Sequence, residues 1–183
     1  MRLESGNYLK HYGVKGQKWG VRRYQNEDGS YTEEGKRRAY ALRTHKDVEK
    51  IFSSFSKKDK QLLDAGENDT EYMSREATSY WVAKRFIAKY KDEPVAFFDV
   101  IKSPDSKDAQ IAIGDDSKYR GKGYASRIAE RGSKWIDRHM DEFNKVEWGA
   151  YKENEASIKL AKKNNFELDR ETDNFAVYAK KKK

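Results

Sequence analysis

The chain has 183 residues, no cysteine, three histidines, and 39 Lys and Arg against 31 Asp and Glu, a formal net charge of +8. That length suits one domain with a real core plus an appendage. The missing cysteines exclude disulfides, a thiol nucleophile and Cys-type zinc sites, and imply a reducing, cytoplasmic compartment. His11, His45 and His139 stand in no metal-ligand spacing, so neither a metal centre nor a histidine triad is expected. No stretch is apolar enough to span a bilayer or to read as a signal peptide.

Charge is uneven along the chain. Residues 1–46 hold 11 of the Lys and Arg but 5 of the Asp and Glu, and the last four residues are all lysine. The body between is slightly acidic and does not read as a nucleic-acid-binding domain. The leader HYGVKGQKWGVRRYQNEDGSYTEEGKRR mixes glycine, cations and aromatics without strand or helix period, and NEDGS is a turn signal. Residues 1–43 are therefore expected to be a loosely docked or poorly ordered leader, and residues 44–183 the folded domain.

Thr44 with Asp47 predicts a helix start, followed by Val48, Ile51, Phe52 and Phe55 on one face. Ser56 with Asp59 predicts a second start, and Gly66 its end. From Ser79 the texture turns β-rich: SYWVAKRFIAKY, PVAFFDVIK after an Asp-Glu-Pro turn, and AQIAI read as an antiparallel meander. A third helix follows, with Tyr124, Ile128, Trp135, Ile136 and Phe143 on its apolar stripe. Then come a strand at KVEWGAY, a short helix at ENEASIKLAKKNNF, and strands at FELDRE and FAVYAK joined by a turn at Thr172 to Asn174. The fold class is α/β (α+β): a mixed sheet with an N-terminal antiparallel meander, flanked by helices.

The junction at Arg120-Gly121-Lys122-Gly123-Tyr124-Ala125 carries the chemistry. A strand ending at Ile113, a glycine turn and a helix start make a cup of backbone N–H groups suited to an anion such as pyrophosphate. A P-loop would need Gly-x-x-x-x-Gly-Lys-Ser/Thr. A dinucleotide fingerprint would need a third glycine where Ser126 stands and a parallel βαβ repeat.

This order of elements, with RGKGYA at the third helix and NEASIKLAKKNNF after the next strand, resembles the GNAT-type acyl-CoA N-acyltransferases over residues 44–180. The resemblance implies acetyl-CoA as cosubstrate, held by backbone N–H groups of an Arg/Gln-x-x-Gly-x-Gly/Ala signature in which Arg120, Gly123 and Ala125 stand at the defined positions. It implies a second coenzyme contact at Asn154 to Ser157, although an N-capped amphipathic helix explains those residues equally well. It implies an oxyanion donor on the fourth family strand, a backbone N–H here near Ile113 or Gly114. Many members carry a helix tyrosine that protonates the departing thiolate; Ala161 takes that position. The usual Gly-Phe helix end is Asn165-Phe166, and asparagine tolerates the left-handed backbone such an end requires.

Direct attack of an amine on the thioester needs a proton acceptor. Glu147 in KVEWGAY is the leading candidate and shares a strand face with Tyr151, about 13 Å away at the strand rise. Tyr151 is expected to border the thiol end or to pack, and water could take the proton instead. The acceptor is an amine on a small molecule or protein. Separately, His11 to Gly16, Lys18 to Asn26 and Asp28 to Ser30 resemble a short segment shared by otherwise unrelated bacteriophage and prophage proteins, with Gln17 and Glu27 departing from it. That resemblance implies a phage-derived gene and virion or DNA association through residues 1–43. The alternative to an active enzyme is a coenzyme-binding interaction module with weak or no turnover.

Overall fold

The computed structural model describes residues 24–59, 82–102 and 106–182. The chain divides into two compact units, residues 1–36 and 37–183. In the first, NEDGS forms the expected turn: Gly29 takes φ 83°, Asn26 N–H donates to Ser30 O at 2.7 Å, and Gln25 bridges Tyr31. Thr32 then caps a helix, its Oγ1 accepting from Gly35 N–H at 3.0 Å while its own N–H donates to Tyr24 O at 3.0 Å. A Cβ on Gly35 would stand 2.2 Å from Tyr24 O, so glycine alone permits that approach.

That helix, α1, spans Glu33–Ser53 and starts well before the expected Thr44. Thr44 lies inside it, with Oγ1 donating to Tyr40 O at 2.8 Å, the back-bond of a mid-helix threonine rather than a cap. The helix thus runs through the boundary drawn between residues 43 and 44. The expected stripe does its work: Val48, Ile51, Phe52 and Phe55 are buried with Phe97 of the sheet. Ser56 and Asp59 form a capping box, Asp59 N–H donating to Ser56 Oγ at 3.1 Å and Ser56 N–H to Asp59 Oδ2 at 2.9 Å, and residues 57–59 are helical. The end expected at Gly66 and the strand start expected at Ser79 lie outside the described residues.

Among the described residues, six strands form one sheet in the order β1-β2-β3-β4-β6-β5: β1 Val82–Tyr90, β2 Glu93–Lys102, β3 Asp108–Asp115, β4 Lys145–Tyr151, β5 Glu167–Glu171 and β6 Phe175–Lys181. β1, β2 and β3 make the antiparallel meander, and β4, β6 and β5 are a second antiparallel group. The β1–β2 turn falls at Lys91 and Asp92, with φ 47° and 65°, rather than at Asp-Glu-Pro. Two left-handed residues match strand twist in a two-residue hairpin, and Glu93 and Pro94 already belong to β2.

Helix α2 spans Tyr124–Arg138 and α3 spans Glu155–Lys163. Both pack on one face of the sheet, where Phe98, Val100, Ile128, Ile136, Phe143, Val146, Trp148 and Ala161 form the main core. Phe143 lies beyond the end of α2, yet it is buried as the stripe predicts. The α3 end has φ 60° at Asn165, with Phe166 N–H donating to Ala161 O and Asn165 N–H to Lys162 O, both at 3.1 Å. That is a Schellman end with asparagine in the left-handed place.

One feature gave no sequence signal. Arg85 of β1 and Asp99 of β2 pair across the sheet with side chains 0% exposed, Nη2 to Oδ2 at 2.5 Å and Nε to Oδ1 at 2.9 Å. Arg85 Nη1 also donates to Ala41 O at 3.1 Å, tying α1 to the meander.

Candidate functional site

β3 and β4 are the adjacent parallel strands of the sheet, and they pair only at Asp108↔Lys145, Ala109↔Val146 and Gln110↔Glu147. Beyond those positions they separate, opening a cleft toward their shared C-terminal edge, the usual place for a ligand in an open α/β sheet. The phase of β3 follows from Asp116, whose N–H donates to Val95 O at 2.9 Å. By antiparallel alternation, Gly114 and Ala112 also turn their backbone groups to β2, whereas Ile113 turns its N–H and C=O toward the cleft. Of the two expected oxyanion donors, Ile113 has the right orientation.

At the cleft mouth, a short turn Ser117–Tyr119 leads from β3 into the cup. Gly121 and Gly123 take φ 76° and 80°, and a Cβ on either would meet nothing within 4 Å. Gly123 is the N-cap of α2 and supplies no side-chain cap. The first-turn N–H groups, Tyr124 and Ala125 among them, therefore have no side-chain cap from Gly123, and the positive end of a helix of 15 residues lies behind them. Lys122 Nζ lies 5.0 Å from the centre of the Tyr119 ring and Arg127 4.9 Å from that of Tyr124, so cations flank the cup. Lys163, on the last turn of α3, reaches Ser126 Oγ at 3.1 Å and adds a cation that no motif indicated. An open cradle with uncapped donors and flanking cations fits a pyrophosphate.

Arg120 does not point its guanidinium at the cup's open side. Nη1 donates to Asp59 Oδ1 at 2.9 Å, and Nε stands 3.6 Å from Asp115 Oδ1. Burial pushes the Asp115 carboxyl above its ordinary range against the pull of Arg120. Burial would also raise Asp59, but hydrogen bonds from Ser56 and Arg120 outweigh it and hold that carboxyl low.

Asn154 and Ser157 start α3 at the same edge of the sheet, since β3 and β4 run in parallel. Asn154 Oδ1 accepts from Ser157 N–H at 3.2 Å as N-cap, and Ser157 Oγ accepts from Trp148 Nε1 at 2.9 Å. Both side chains are thus engaged in local structure. Glu147 and Tyr151 share a face, as alternation requires, but on the side of the sheet away from Trp148 and the main core. Tyr151 packs edge-on against Phe175, with centroids 5.7 Å apart.

Glu147 is held by Arg170, Nη1 to Oε1 at 2.5 Å and Nη2 to Oε2 at 3.2 Å, and by Lys145. The Arg170 bonds, against burial and with help from Lys145, draw its carboxyl below the ordinary range. Ala161 is fully buried in the core, so its place on α3 faces packing rather than the cleft. Among the described residues, no group of three His, Asp or Glu could hold a metal ion, and no helix is long and apolar enough to cross a membrane.

A cleft between splayed parallel strands, with a backbone N–H turned into it and an uncapped helix start at its mouth, is the arrangement expected of the acyl-CoA N-acyltransferase class. The Acetyltransferase (GNAT) family profile matches residues 44–166, and the chain belongs to that family, which uses acetyl-CoA. A second profile, a family of unknown function (DUF7211), matches residues 4–26. Comparison with curated proteins returned no match. A GNAT-family acetyltransferase from Streptococcus pneumoniae superposes with TM-score 0.58 at 10% identity, covering 76% of this chain and 94% of that one. A GNAT-family acetyltransferase from Bacillus anthracis gives 0.54 at 19% identity, covering 76% and 90%. RimL, a ribosomal L7/L12 alpha-N-protein acetyltransferase in complex with coenzyme A, gives 0.55 at 16%, covering 76% and 89%. These likenesses support the fold.

Proposed function

We propose that the chain transfers an acetyl group from acetyl-CoA to an amine of a small molecule or protein by direct attack within the β3–β4 cleft. The observation that carries this reading is the splay beyond Gln110 and Glu147, opening onto the uncapped start of α2. The cup from Gly121 to Ala125 would hold the pyrophosphate through backbone N–H groups, with Lys122 and Lys163 supplying charge. The thioester supplies an activated acyl group with a good leaving thiolate. The N–H of Ile113 is placed to donate where negative charge develops on the acyl oxygen.

Proton removal from the amine falls to water rather than to Glu147. A base works best with a pKa near the working pH, whereas Arg170 bonds both Glu147 oxygens and holds its carboxyl low. Asn154 and Ser157 contribute by fixing the start of α3, and Tyr151 by packing. The same occupied carboxylate favours a second reading, a coenzyme-binding module of little turnover. Thiol release with a panel of amines separates the two.

Calorimetry with acetyl-CoA tests the site. Gly123→Val puts bulk into the open cradle and strains a left-handed residue by about 1 to 2 kcal/mol. It should weaken binding at least about tenfold, a loss of roughly 1.4 kcal/mol; unchanged affinity would remove the coenzyme from this cup. For the leader, residues 1–43, the reading is a phage or prophage origin with docking to a virion or to DNA, and a cytoplasmic enzyme in the host cell. It rests on the basic composition of residues 1–46 and the resemblance of the segment from His11. Salt-sensitive association that disappears with the leader would support it.

A further inference from the structure

The loop that carries the cup is fastened to the end of α1 by contacts outside the glycine signature. Ser117 N–H donates to Ser54 Oγ at 3.0 Å, and Ser117 Oγ donates to Ser54 O at 2.9 Å. Three residues on, Arg120 donates to Asp59 Oδ1, while the other Asp59 oxygen accepts from both the N–H and the hydroxyl of Ser56. Asp59 thus closes a helix-starting box with one oxygen and holds the arginine with the other. Its side chain is 20% exposed, against 46% for Arg120, so the carboxylate is the better-fixed partner.

We propose that Asp59 is a positioning residue for the coenzyme cup: by holding Arg120 it fixes the residue next to Gly121, and with Ser54 it sets the loop before coenzyme arrives. The inference rests on the acyl-CoA reading above. Glycines at 121 and 123 give the loop freedom to turn its N–H groups away, and ordering them on binding costs affinity. The fastening removes part of that cost beforehand. Arg120 acts through the loop, because its guanidinium is committed to Asp59 and Asp115. By linkage, whatever orders the cup also steadies residues 54–59, and the coupling is equal in both directions.

The test uses the full chain with coenzyme A as probe, titrated by calorimetry below the melting temperature of each variant. Asp59→Asn and Arg120→Gln should each weaken binding about tenfold, within the usual range of site-to-site coupling. The double variant should be no weaker than either single one, since the two act as a unit. Asp59→Glu, which keeps charge and box, should restore most of the affinity. Amide exchange should show Ser56 to Asp59 gaining protection with coenzyme A in the native chain and not in Asp59→Asn.

If Arg120→Gln weakens binding while Asp59→Asn does not, the arginine binds phosphate itself and the proposal is wrong. Additive losses in the double variant would overturn it equally. Gly123→Val is the control. A native chain that binds but a Gly123→Val chain that does not, with Asp59→Asn unaffected, would remove the positioning role alone. A native chain that does not bind coenzyme A would remove both.

Discussion

The buried pair Arg85 and Asp99 allows a sharp test of what holds the meander to α1. Both side chains are 0% exposed and joined by three hydrogen bonds, and Arg85 also satisfies the Ala41 carbonyl. Removing one partner strips the other of these three hydrogen bonds while it stays buried, a loss of about 3 to 5 kcal/mol. For a chain of this size that is a fall in Tm of about 6 to 20 °C. The two single variants should differ. Asp99→Leu should lie at the upper end, because a buried guanidinium keeps its charge whatever surrounds it. Arg85→Met with Asp99→Leu removes both charges and leaves chiefly the Ala41 carbonyl without this donor, at about 1 to 3 kcal/mol. Urea unfolding at constant m-value measures all three. Single variants within 1 kcal/mol of the native chain, or a double variant as unstable as the sum, would refute this account of the pair.

Glu147→Gln should change acetyl transfer by less than about threefold, against the 10² or more expected of a general base; steady-state rates decide it. The same carboxyl, lowered by Arg170, stabilises the fold above the unfolded Glu pKa of about 4.3 and loses that contribution as pH falls through its folded value. Glu147→Gln should therefore flatten the acid limb of a stability–pH curve below about pH 5. Gly132→Ala would place a Cβ 2.4 Å from the buried Phe98 ring. A destabilisation of about 1 to 3 kcal/mol by overpacking should exceed the helix-propensity gain in a thermal melt. A chain beginning at Arg37 gives up the Thr32 cap and the first turn of α1 and should lose about 0.5 to 2 kcal/mol, whereas one beginning at Arg43 also lacks the Ala41 carbonyl and should lose about 1 to 3 kcal/mol more.

Most elements could be read from local pattern because their signals are local. The strand KVEWGAY, the capping box of Ser56 and Asp59 and the left-handed Asn165 are set by neighbours within a few residues. The start of α1 escaped because residues 33–43 carry few large apolar side chains, and the signal of Thr32 with two acidic residues behind it sat in a stretch that looked like leader. The partners of Glu147 escaped for a different reason. Arg170 comes beside it only because β6 lies between β4 and β5, a matter of strand order. The commitment of Arg120 to Asp59 is equally non-local, since the two stand 61 positions apart in sequence. Alternation could say which residues share a face, but not which charges meet there.

The three-pair junction of β3 and β4 also bears on how the sheet holds together. Two antiparallel groups, each zipped along its length by near neighbours in sequence, meet along a seam of three residue pairs. Contacts within each group close short loops and should form early, while the seam joins strands separated by the whole of α2 and should close late. Room for a ligand and mechanical weakness are thus the same property of this sheet. A molecule bridging the gap would act as a stitch, and protection from exchange along β3 and β4 should rise with its concentration by mass action.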